Sequence, residues 1–128
     1  MKRLLKLTAF IEAATGLGLI CVPAVIVRLL LGSELFSAGI PLGRLAGVAL
    51  LSLGIACWLA SSDTQSCAAR GVVTAMALYN IGAVLVLGAA GLLSQPVGIG
   101  LWPAVILHAV MTVWCVMWLF GKQSKTEL

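Results

Sequence analysis

The chain has 128 residues, of which 62% are hydrophobic and 9% charged, and its formal net charge is +4. A water-soluble domain carries roughly a quarter charged residues to cover its surface, so this composition excludes one and points to lipid as the surrounding medium. The cations flank apolar runs instead of forming one phosphate-facing patch, so the basic balance calls for no nucleic-acid reading. At this length a single domain over residues 1–128 is expected.

The first apolar segment covers about residues 4–23, behind Lys2 and Arg3 and with Lys6 near its start. It is not read as a cleaved leader. Glu12 interrupts the apolar stretch, no small-residue cleavage site follows, and bulky Ile20 before Cys21 makes a poor lipoprotein signal. The connection that follows, residues 24–41, is too apolar for a free loop yet carries Arg28 and Glu34. Either the first helix continues past a kink at Pro23, or a short amphipathic helix lies on the membrane surface. The break at Gly32-Ser33 and the recurring charges favour the second.

The second segment runs over about residues 42–60, the third over 71–93 and the fourth over 99–120. Each is long enough, at 1.5 Å rise per residue, to cross roughly 30 Å of hydrocarbon. From Gly71 to Gly121 there is no charged side chain at all, and Ser94-Gln95-Pro96 supplies the turn between the last two spans. The apolar runs are continuous rather than alternating, which favours helices over barrel strands. The expected fold is all-α: a bundle of four transmembrane helices with a short amphipathic segment between helices 1 and 2.

Orientation follows from the cations. Lys2, Arg3, Lys6, Arg70, Lys122 and Lys125 fall on one side and only Arg28 and Arg44 on the other, so both termini are expected inside. Trp102, Trp58 and Trp118 fall near segment ends, where indole rings favour the interface, and Pro103 suits the first turn of a helix. In the second segment Gly43 and Gly47 form a GxxxG pattern continued by Gly54, a surface fit for close helix contact. Arg44, beside Gly43, reads as a residue reaching headgroups or as an ion-pair partner of Glu34.

Few polar groups reach mid-span. Counting from each entry point puts Asn80 roughly 14 Å and His108 roughly 13 Å from their respective faces, with Ser52 and Thr15 near the same level. Glu12 lies about a turn nearer the inner side. Unpartnered amides and carboxylates in hydrocarbon cost several kcal/mol, so these groups should face one another. Helical spacing aligns Thr8, Glu12, Thr15 and Gly16 on one face and His108, Thr112 and Cys115 on another. A buried polar seam of Glu12, Asn80 and His108 is expected, joined through Ser52 and Thr112. Such a seam serves either as hydrogen-bond glue or as a ligand or proton site.

No catalytic constellation is legible, and no cofactor is expected. The four cysteines lack metal-site spacing, with no CxxC and no histidine pair, so no metal is expected either. They read as small core residues, with Cys67 a free thiol in a loop.

Ile11-Glu12-Ala13-Ala14-Thr15-Gly16, the run Leu29 to Leu35, Pro41 to Trp58, Tyr79-Asn80 and Leu101 to Val110 together resemble a group of small bacterial four-helix membrane proteins, loosely similar to the DoxX-like type. The likeness spans roughly residues 4–120. It implies a multi-pass protein of the bacterial inner (cytoplasmic) membrane and carries over no catalytic residue. The expected function is a non-enzymatic accessory subunit or a binder of a lipid-like molecule. Its partners would be membrane lipids, a second copy or a larger membrane complex. Two alternatives stand beside it: a proton-coupled small exporter using Glu12, and a quinone- or haem-associated protein using His108.

Overall fold

A computed structural model describes residues 1–94 and 96–121; Gln95 of the expected turn and the terminal cations Lys122 and Lys125 lie outside the described residues. Among the described residues the structure is entirely helical: α1 (Lys2–Cys21), α2 (Pro23–Leu31), α3 (Gly39–Ala60), α4 (Cys67–Leu93) and α5 (Leu101–Gly121). Helices α1, α3, α4 and α5 are each long and apolar enough to cross a membrane. The four expected spans are therefore present, with the extra short helix between the first two.

Local chemistry sets the boundaries. Val22, at φ −135° and ψ 57°, breaks the helix because the residue before a proline avoids the helical region, and Pro23 then opens α2. Helix α2 is thus a separate element and not an extension of α1. It ends at Gly32, whose φ of 69° gives the left-handed C-cap. Helix α4 begins four residues before the expected start because the Ser66 hydroxyl accepts the Ala69 N–H at 3.1 Å and caps it. Cys67 accordingly opens α4 and does not sit in a loop.

The closest backbone pairings are α1 with α3 and α4 with α5. The first is a glycine contact. A Cβ at Gly47 would lie 2.7 Å from the Gly16 carbonyl oxygen, one at Gly16 would lie 2.7 Å from the Gly47 oxygen, and one at Gly54 would meet Ala9 and Ala13 backbone at 3.0 Å. Where lipid supplies no hydrophobic drive, this backbone proximity is how helices gain dispersion contacts. The α4 small-residue run is different: at Gly82 and Gly88 an added Cβ would meet nothing within 4 Å, while Gly91 packs on Leu101 and the Trp102 ring.

Side chains join the two pairs. Leu4, Leu5 and Ala9 of α1, Cys57 of α3, Val73, Met76 and Ala77 of α4, and Met111 and Cys115 of α5 form one buried cluster. Their positions early in α1 and α4 and late in α3 and α5 place this core toward the amino-terminal end of the bundle. The opposite end is closed by α2. There Gly98 and Gly100 N–H groups donate to the Leu30 and Leu29 carbonyls at 3.1 and 2.9 Å, tying the end of α2 to the α4–α5 connection.

Candidate polar site in the bundle

Buried positions on α4 (Ala69, Val73, Met76, Ala77 and Asn80) recur at three- and four-residue spacing, which aims Asn80 inward from the middle of its helix. The same spacing on α5 carries Met111 and Cys115 inward and leaves His108 half-buried on the flank facing α4. The two polar side chains meet: His108 Nδ1 and Asn80 Oδ1 are 2.7 Å apart. Asn80 Nδ2 donates to the Met76 carbonyl at 2.7 Å, which fixes the amide so that Oδ1 faces the ring. An amide oxygen only accepts, so Nδ1 carries the proton, and in the neutral ring Nε2 is then the acceptor. The Tyr79 ring stands edge-on to His108, with centroids 5.6 Å apart and an interplanar angle of 82°.

Glu12 enters from α1 on a stripe with Leu5, Thr8, Ala9 and Gly16, and keeps only 4% of its surface exposed. A Cβ added at Gly54 would lie 3.4 Å from the Glu12 Cβ, which places Glu12 against α3. Among the described residues no hydrogen bond or ion pair reaches it. Every fully sealed side-chain oxygen or nitrogen there does have a partner, so the Glu12 carboxyl oxygens keep a narrow opening. The buried thiols Cys57 and Cys115 belong to the apolar core cluster. No three His, Cys, Asp or Glu side chains among the described residues converge as metal ligands.

The expected seam therefore divides. Asn80 and His108 bond directly, and Glu12, buried on α1 against Gly54 of α3, is hydrogen-bonded to neither. Ser52 is a correction: it is exposed, and its hydroxyl donates to Val48 in its own helix at 2.8 Å. Two residues before Gly54, it sits about 200° around the helix from the buried face. Thr112 is half-buried, but its hydroxyl donates to the His108 carbonyl at 2.9 Å, so it braces α5 rather than bridging helices. Thr15 is half-buried and makes no side-chain hydrogen bond among the described residues. The Glu34–Arg44 ion pair is also corrected. Both side chains are exposed and none joins them among the described residues, as expected where water competes for each charge.

Tyr79 and Cys57 were not visible as site residues in the sequence. Tyr79 adjoins Asn80, which is the only signal that could have raised it; Cys57 looked like one of several small core fillers. No family model, curated protein or solved structure matches the chain. Fold and site together define a multi-span helical bundle with a bonded Asn80–His108 pair joining α4 to α5 and a buried Glu12 on α1.

Proposed function

We propose that this chain is a non-enzymatic, multi-pass protein of a bacterial cytoplasmic membrane, with both termini inside, that binds a lipid-like molecule or serves a larger assembly through its central polar site. One observation carries the reading: Glu12 is buried midway along α1 with no hydrogen-bond partner among the described residues, in a bundle that also holds the bonded Asn80–His108 pair. A buried carboxyl without a protein partner is expensive, and a ligand's hydroxyl or amine would supply the missing donor. The Nε2 acceptor of His108 suits the same kind of headgroup. The cation distribution supports the orientation, and the resemblance of Pro41–Trp58 and Leu101–Val110 to small bacterial four-helix proteins supports the membrane assigned.

The same carboxyl favours a second reading, in which Glu12 exchanges a proton for a cationic substrate. Glu12→Gln separates the two. Mass spectrometry of molecules co-purifying with the protein should show one lipid-like species depleted in Glu12→Gln and in His108→Phe. An identical profile in wild type and both variants would sink the binding proposal. Proton-driven uptake into vesicles, abolished by Glu12→Gln, would instead establish the exporter.

A further inference from the structure

A second polar feature lies at the amino-terminal end of the bundle, away from the central site. Lys2 and Lys6 of α1, Trp58 and Leu59 of α3, and Ser61 and Ser62 beyond it line a cavity of about 380 Å³. Lys6 Nζ stands over the Trp58 ring, 5.4 Å from its centroid. Both serine hydroxyls donate to carbonyls of the α3 end, Ser61 to Trp58 and Ser62 to Leu59, at 2.6 Å each. Their protons are committed. Among the described residues, the side-chain donors of the lining that make no hydrogen bond are the Lys2 and Lys6 ammonium groups and the Trp58 indole N–H.

No acid among the described residues lines this cavity. The nearest carboxylate in sequence, Asp63, accepts the Gln65 N–H within its own turn at 3.4 Å, and no ion pair ties it to either lysine among the described residues. Lys2 and Lys6 are four apart on one helix, where like charges repel, so an anion between them relieves a strain the protein leaves unbalanced. The rim is apolar and open: Trp58 is 58% exposed and Leu59 66%. An indole at a span end beside exposed leucine is the setting of a headgroup above its acyl chains.

We propose that this cavity binds the phosphate headgroup of an anionic phospholipid, with Lys2 and Lys6 on the phosphate and Trp58 and Leu59 along the start of the chains. The proposal stands whether or not the central site binds a ligand. Native mass spectrometry of the full chain in detergent, with phosphatidylglycerol or phosphatidylcholine of matched chains added, tests it. Wild type should retain phosphatidylglycerol preferentially. Each lysine near an anionic lipid contributes about fivefold, so Lys2→Gln with Lys6→Gln should weaken phosphatidylglycerol about 30-fold and leave phosphatidylcholine unchanged. The Lys2→Arg, Lys6→Arg pair should stay near wild type.

Arg28→Gln with Arg44→Gln, at the other end, should leave the preference intact; an equal loss there would overturn the proposal in favour of bulk charge. Equal retention of the two lipids by wild type would also overturn it. Displacement by glycerol 3-phosphate at the same concentration as the lipid would reassign the cavity to a soluble phosphate compound. Should the glutamine pair misfold, salt decides on wild type: a preference that survives 1 M salt is not the work of these exposed lysines.

Discussion

At the residue scale the Asn80–His108 bond is the one direct polar link between helices α4 and α5 that the sequence made foreseeable. Interhelical hydrogen bonds in membranes average about 0.6 kcal/mol and reach about 1.7. Asn80→Leu should cost more, about 1–3 kcal/mol, because it also leaves the His108 Nδ1 proton without an acceptor. The Asn80→Leu, His108→Phe pair should therefore be milder than the sum of the singles. Unfolding in mixed micelles across that cycle gives the coupling, and strictly additive losses would show that the two side chains do not act as a unit. Depth counting found this pair because both residues sit mid-helix with no competing polar neighbour. It failed for Ser52, since depth fixes level but not rotation. Ser52 shares a level with the cluster while Gly47, Gly54 and Cys57 hold the inward face of α3.

At the element scale, glycine is not one kind of residue here. Gly47 has the Gly16 carbonyl where a methyl would go, and backbone cannot step aside; Gly82 has open space. Gly47→Ala should destabilise by about 1–3 kcal/mol through overpacking. Gly82→Ala should be neutral or stabilising by up to about 1 kcal/mol, since alanine is the better helix former. Thermal denaturation of the two purified variants reads the contrast, and a tolerated Gly47→Ala would mean α1 and α3 pack less closely than described. The GxxxG pattern and Gly54 made the α3 side of this contact legible. The partner was not, because Gly16 belongs to no GxxxG repeat in α1 and gains meaning only from what crosses it. The start of α4 escaped for a related reason: Ser66 reads as a loop residue until its hydroxyl is seen capping Ala69. Helix α2 was foreseen from its charges and the Gly32 break, but its attachment to the α4–α5 connection is made by backbone groups, which leave no side-chain signature.

At the scale of the whole molecule, four long helices in sequence put the start of α1 and the start of α4 at one end and the end of α1 at the other. Cys21 and Cys67 are exposed at opposite ends, while Cys57 and Cys115 are buried in the core. A membrane-impermeant maleimide applied to intact spheroplasts should label Cys21 and spare Cys67, under the orientation proposed, with the buried pair unreactive until denaturation. Labelling of Cys67 alone would invert the orientation, and labelling of both would break the four-span arrangement. The tie between α2 and the Gly98–Gly100 segment also bears on how the chain is made. The groups it joins are about seventy residues apart, which makes it a long-range contact. As synthesis proceeds from the amino terminus, α1 and α3 can already pair through their glycines while the Leu29 and Leu30 carbonyls wait. Only when the connection after α4 emerges does α2 receive its last hydrogen bonds. The bundle is thus latched at that end by its final hairpin, and a chain stalled before Gly98 holds one finished helix pair with its lid unfastened.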